Sequence, residues 1–160
     1  MGLNWPNNNH NYVPAYQQSG LPFVTSSAVN EVDGVTPIEV RFPYVTRWIV
    51  VRNTGVSDLR IGFTRNGVLA NNVNAYNLTA SNANYFVLSP SGSSANNFGN
   101  TNMLGPIEVK CTRMFFLASG SNEQTGLGTG FSLMAGYTNI PGTQFLPLTG
   151  ASGSNFQGVG

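Results

Sequence analysis

The alternation of apolar and polar residues along the chain predicts β-strands. Residues 38–42 (IEVRF), 59–63 (LRIGF) and 131–138 (FSLMAGYT) place apolar side chains at every second position, the period of a strand with one buried face. Residues 45–52 (VTRWIVVR) are apolar at both parities around Trp48, which predicts a strand covered on both sides. The pattern predicts eight strands, at residues 21–29, 38–42, 45–52, 59–63, 85–88, 107–111, 113–118 and 131–138. Because no segment has a sustained helical period, we predict an all-β fold.

A repeat within the chain predicts how these strands are arranged. PIEVR at 37–41 returns as PIEVK at 106–110, and GFT at 62–64 returns as GYT at 136–138. The copies relate the second strand to the sixth, the third to the seventh and the fourth to the eighth. This is the correspondence between the two Greek keys of a jelly roll. We therefore predict a single eight-stranded jelly roll of two four-stranded antiparallel sheets, with strands 1-8-3-6 in one sheet and 5-4-7-2 in the other.

An immunoglobulin-type sandwich is the main rival to the jelly roll. Such a sandwich usually has seven strands, shows no corresponding halves and is built around a tryptophan and a cysteine pair. This chain has one cysteine, Cys111, which alternates with Ile107 and Val109 and is therefore expected to face the core as a small apolar residue. The jelly roll is the better prediction.

The two ends of the chain differ from the predicted domain, which spans residues 21–140. Residues 1–20 form an Asn-rich arm with Trp5, Tyr12 and Tyr16 but no strand or helix period, and residues 141–160 form a Gly/Ser-rich tail. Such an arm is either disordered or extended along a neighbouring molecule with its aromatic residues as anchors.

Charge is scarce in this sequence. Charged residues make up 8% of the chain, against about 25% in a typical protein. A neutral polar surface indicates either a face covered by neighbours or a crowded β-domain rich in Asn, Ser and Thr, and both readings stay open. A net charge of +1 argues against nucleic acid as the main ligand. No apolar run approaches the roughly 20 residues of a membrane helix, and the first residues lack signal-peptide features, so we expect synthesis and assembly inside a cell.

The residue types that carry chemistry are few. The one histidine, His10, lies in the arm without a second ligand at metal-binding spacing. The serines lie in Gly/Asn loops without a nucleophile-elbow motif, and no carboxylate pair is set for glycoside hydrolysis. We therefore predict no enzyme, no metal and no cofactor. Asn77 begins a glycosylation sequon, but the absence of a signal peptide disfavours its modification.

Two charged pairs recur in the repeated segments. Glu39 with Arg41, and Glu108 with Lys110, stand two positions apart and share the outward face of a predicted strand. They are either surface ion pairs of little energetic weight or contacts that set the register between subunits. Four further arginines are read as contacts between subunits: Arg47, Arg52, Arg60 and Arg65.

Four segments carry a resemblance to a known family. They are PYVTRWIVVRNTG at 43–55, LRIGFTRNGV at 59–68, NYFVL at 84–88 and FSLMAGYTNI at 131–140. Over about residues 36–140 the chain resembles the single jelly-roll penton protein of large icosahedral double-stranded DNA viruses, in particular the chlorella-virus type. The motifs are structural, and they also fit other single jelly-roll minor capsid proteins.

The resemblance implies a structural virion protein. It implies a homopentamer that closes each fivefold vertex of a capsid assembled in the host cell, in contact with neighbouring major and minor capsid proteins. A vertex spike or a host surface is a further candidate partner. Within this reading, Glu39, Arg41, Glu108 and Lys110 are candidate interface residues, and Trp5, Tyr12 and Tyr16 anchor the arm on neighbouring capsid subunits. The alternative function is a carbohydrate-binding or host-attachment β-sandwich, in which Tyr76 and Phe98 would form a stacking platform.

Overall fold

The computed structural model describes residues 21–28, 30–69, 85–90, 102–119 and 129–144. These residues form eight strands, one helical turn and one short 3-10 turn. In chain order they are β1 (Pro22–Ser26), β2 (Ile38–Arg41), β3 (Tyr44–Asn53), β4 (Asp58–Gly62), α1 (Arg65–Val68), β5 (Phe86–Leu88), β6 (Met103–Glu108), β7 (Arg113–Ser119), β8 (Phe131–Pro141) and the 3-10 turn Gly142–Gln144.

The strands form two four-stranded sheets in jelly-roll order. The first sheet has the order β1-β8-β3-β6 and the second the order β2-β7-β4-β5. Every pairing between these strands is antiparallel. The predicted all-β class, the eight strands and the content of both sheets are confirmed, including the correspondence of strands that the repeat indicated.

The core lies between the inner faces of the two sheets. The Phe116 ring of β7 stacks on the Phe131 ring of β8 at a centroid distance of 4.0 Å, and Phe23 of β1 meets Phe42, just after β2, edge-on at 5.4 Å. These contacts place β7 over β8 and β2 over β1, so the sheets stack with β2 and β6 on opposite sides of the sandwich. Cys111 is buried in this core, as predicted.

Complete coverage on both faces belongs to β7 and, apart from its first residue, to β4, but not to β3. This corrects the prediction for residues 45–52 and also that for residues 59–63, which were expected to bury one face only. In β3, Ile49 and Val51 are buried, whereas Trp48 and Val50 are only half-buried. In β7 all five central residues are buried. The reason is that α1 packs over the outer face of the second sheet, where Val68 forms a separate apolar cluster with Phe115 and Leu117.

Two other local predictions are also corrected. The sixth strand, predicted at 107–111, runs from Met103 to Glu108. A register shift between Ile49 and Val51 leaves Gly105 and Pro106 out of the regular ladder, so the proline is accommodated. The first strand, predicted at 21–29, runs from Pro22 to Ser26. α1 begins with Thr64 as its N-cap, whose Oγ1 accepts a hydrogen bond from the Gly67 N–H (3.1 Å).

Candidate subunit interface

The first predicted charged pair lies on the edge strand β2. Ile38 and Val40 pack against the core, so the alternation of the strand turns Glu39 and Arg41 outward. The pair is bidentate: Arg41 Nε donates to Glu39 Oε1 at 2.9 Å and Arg41 Nη2 donates to Glu39 Oε2 at 3.1 Å. The Arg41 side chain is 77% exposed and that of Glu39 25% exposed. The hydrogen bonds and the charge of Glu39 raise the pKa of Arg41.

Arg113, which the sequence pattern did not single out, completes this cluster. It lies opposite Arg41 in the β2–β7 register, and its Nη1 is 3.5 Å from Glu39 Oε1. One carboxylate therefore holds two guanidinium groups, and this edge carries a net positive charge. Only the cross-strand register reveals Arg113, because it is more than seventy positions away from Glu39 in the sequence.

The second predicted pair lies on the edge strand β6. Glu108 is the last residue of that strand, is exposed, and stands opposite Trp48 of β3. Lys110 follows two positions later and is also exposed. The segment after the strand is held in place by Thr46: its Oγ1 accepts a hydrogen bond from the Cys111 N–H (3.0 Å) and donates to the Val109 carbonyl oxygen (2.7 Å).

The two charged pairs are not brought together within one subunit. β2 is an edge of the second sheet and β6 is an edge of the first. In the first sheet, β1 and β6 are the two opposite edges. Because β2 stacks over β1, the two charged pairs lie on opposite sides of the sandwich. β2 and β6 are the strands related by the internal repeat. The repeat therefore places similar charged segments on the two sides of the sandwich.

The remaining predicted residues divide into two groups. One of the four arginines, Arg60, is only 5% exposed, and its guanidinium lies 5.1 Å from the centroid of the Tyr85 ring. Its burial corrects the prediction that it contacts another subunit, whereas Arg52 and Arg65 are exposed. Several predictions fall on residues outside the described ranges: those for Trp5, His10, Tyr12, Tyr16, Tyr76, Asn77 and Phe98.

Chemistry-bearing groups are sparse in the described ranges. No group of three or more His, Cys, Asp or Glu side chains among them could hold a metal ion. Burial raises the pKa of the Cys111 thiol to about 11, so this thiol is protonated at neutral pH. Among the same residues no helix is long and apolar enough to cross a membrane.

Comparison of the chain with protein-family models, with curated proteins and with solved structures finds no match.

Proposed function

We propose that this chain is a structural virion protein, a penton capsomer whose homopentamers close the fivefold vertices of an icosahedral capsid. The observation that carries the proposal is the placement of two charged pairs on opposite sides of a jelly roll. A closed ring needs heterologous contacts, in which one patch of a subunit meets a different patch of the next. Opposite edges that each carry both signs of charge are suited to such contacts.

The proposed contact joins the β2 edge of one copy to the β6 edge of the next. In this arrangement Arg41 faces Glu108 across the boundary, and Lys110 faces Glu39. Exposed ion pairs contribute mainly to register and to the choice of partner, so apolar and loop contacts supply most of the affinity. Charged side chains on both edges also discourage uncontrolled pairing of strands with other chains.

The oligomeric mass tests the pentamer directly. Native mass spectrometry of the purified full chain should give a species of about 85 kDa, five times the chain mass of 17.1 kDa. A purely monomeric protein at micromolar concentration would contradict the proposal. Binding to a glycan array by such a monomer would favour the carbohydrate-binding alternative.

Charge reversal tests the proposed contact between the edges. Arg41→Glu and Glu108→Arg should each lower the pentamer fraction, because each places like charges at the boundary. The double variant restores opposite charges and should recover most of the loss. Val56→Glu, which adds a charge at an exposed position between β3 and β4, is the control and should leave the fraction unchanged. Equal pentamer yields for all four variants would remove this contact from the model of the ring.

In the capsid, such a ring would contact neighbouring major and minor capsid proteins, and its outer end would be available to a spike or a host surface. Under this proposal the protein would lie in the virion, at the vertex, after assembly in the host cell. Incorporation of the Arg41→Glu variant into capsids, compared with wild type, would test whether ring formation is required for that location.

A further inference from the structure

The outer face of the first sheet carries an apolar surface. The register aligns Val24 of β1, Met134 of β8 and Val50 of β3 in one row across the sheet. Val24 is 68% exposed and Met134 45% exposed. Trp48 borders this row on one side. On the other side Met103 of β6, which is 47% exposed, stands opposite the exposed Arg52 of β3. We call the five apolar residues the outer apolar face.

The second sheet differs because its own chain covers it. Val68 of α1 packs over Phe115 and Leu117, with Leu69 and Tyr85 alongside. No described residue covers the outer apolar face in a comparable way. An exposed apolar surface of this kind usually marks a place where another segment or molecule binds.

We infer that residues 1–20 of the same chain fold back and bind the outer apolar face, with Tyr12 and Tyr16 as the main anchors. The segment joins the described structure at Leu21, directly before β1, the edge strand of this sheet. The Leu21 carbonyl oxygen still accepts a hydrogen bond from the Tyr137 N–H of β8 (3.1 Å), so the segment begins at the border of the face.

The length of the segment suits this surface. Four strands spaced about 4.8 Å apart make the sheet about 14 Å wide between its edge strands. Tyr16 is five residues before Leu21 and reaches at most about 17 Å from it, which is enough to cross the face. Gly20 allows the sharp change of direction that folding back requires.

The chemistry of the segment also fits. Residues 1–20 contain no Asp, Glu, Lys or Arg, so their binding to an apolar surface buries no charged side chain. Tyrosine supplies a large apolar ring together with a hydroxyl that can remain in water. The sequence alone suggested docking on neighbouring subunits; the structure offers a nearer surface, and attachment to the same chain gives an effective concentration in the millimolar range.

Thiol labelling of the full chain tests this inference without requiring a pentamer. Val24→Cys places a reactive thiol in the outer apolar face, while the buried Cys111 gives a low background. The variant is compared with one that also carries Trp5→Ser, Tyr12→Ser and Tyr16→Ser. Loss of the anchors should accelerate reaction with a small disulfide reagent at least about tenfold. Val87→Cys, an exposed edge-strand valine of the other sheet, is the matched control and should react equally fast in both backgrounds.

The outcomes separate this inference from its rivals. Equal labelling of Val24→Cys with and without the three aromatic residues overturns it. If labelling of Val24→Cys slows as the protein concentration rises from about 1 to 100 µM, another copy covers the face. This result also overturns the inference, because binding within one chain is independent of concentration. The inference is confirmed if Val24→Cys is labelled slowly at every protein concentration and labelled fast in the triple serine variant.

Discussion

Replacing Asn53 with alanine tests how the two sheets are joined at one end of the sandwich. Asn53 is the last residue of β3 and is fully buried. Its Nδ2 donates toward the carbonyl oxygens of Ser57 (2.8 Å), Ser89 (3.0 Å) and Leu88 (3.1 Å). Leu88 ends β5 in the opposite sheet, so this one amide connects the two sheets.

The carbonyl oxygen of the same amide is also hydrogen-bonded. Asn53 Oδ1 accepts hydrogen bonds from the Gly55 N–H (2.9 Å) and from Thr129 Oγ1 (2.7 Å). An amide nitrogen has two protons, so Nδ2 can donate two hydrogen bonds, which its three carbonyl contacts share. With the two that Oδ1 accepts, the side chain makes four hydrogen bonds in all. At about 1 kcal/mol net for each, and with buried partners left unsatisfied, the loss should be about 3 to 5 kcal/mol.

Urea unfolding followed by circular dichroism measures this change, with both proteins at the same protomer concentration. Ser26→Ala, at an exposed position of β1, is the control and should change the free energy of unfolding by less than about 0.5 kcal/mol. A loss below about 1 kcal/mol for Asn53→Ala would refute the reasoning.

Asn53→Asp sharpens the test by adding a dependence on pH. The new carboxylate would be buried against three carbonyl oxygens, which raises its pKa above the unfolded value of about 3.9. The folded state then binds more protons than the unfolded state between these two pKa values. Stability should therefore fall as pH rises through this window and recover in acid.

Three further changes probe single contacts. A Cβ at Gly136 would clash with Nε1 of the Trp48 ring, so Gly136→Ala should cost about 1 to 3 kcal/mol in urea unfolding; wild-type stability would show that the ring moves aside freely. The buried Tyr137 hydroxyl has no hydrogen-bond partner within the described residues, so Tyr137→Phe should leave stability unchanged or raise it by about 1 kcal/mol; a clear loss would reveal a partner. Burial raises the pKa of Cys111 from 9.0 in the unfolded chain to about 11 in the folded protein. The folded state therefore favours the protonated thiol, and this contribution to the free energy of unfolding is complete below pH 9 and is lost as pH rises toward 11. Cys111→Ala should flatten that alkaline decline in unfolding midpoints, and an unchanged slope would contradict this assignment.

Strand positions were accessible from the sequence wherever one face of a strand is buried and the other is exposed. β2 and the first half of β8 have this character, and their alternation identified them. β4 also alternates in sequence, but Arg60 on its outer face is buried beside Tyr85. The sheet order followed from the repeat, because a jelly roll built of two related halves leaves few other ways to arrange eight strands.

The strand predictions were wrong where a segment distant in sequence determines which residues are buried. The apolar run around Trp48 indicated a strand covered on both sides, but the cover provided by α1 lies over β7, and no local pattern shows which sheet a helical turn will pack on. β6 was displaced because Gly105-Pro106 has the composition of a loop, although an edge strand with an irregular register tolerates a proline.

For the candidate interface, the sequence supplied the pairs but not their surroundings. Spacing by two positions identified Glu39 with Arg41, and the hydrogen bonds of 2.9 and 3.1 Å confirm that pairing. Arg113 joins the cluster through the strand register alone, and Arg60 is buried beside Tyr85, which lies just before the neighbouring strand β5. Contacts of this kind follow from tertiary structure and leave no periodic signal.

The position of β8 has a consequence for how the chain acquires its structure. β8 lies between β1 and β3 in the first sheet, yet it is the last of the eight strands to leave the ribosome. Until then β1 has no strand to pair with, although it was the first to emerge, and β3 has only its edge neighbour β6. The first sheet therefore closes only after β8 has been synthesised. Because this step joins residues more than a hundred positions apart, it should make folding slow, on the order of milliseconds to seconds.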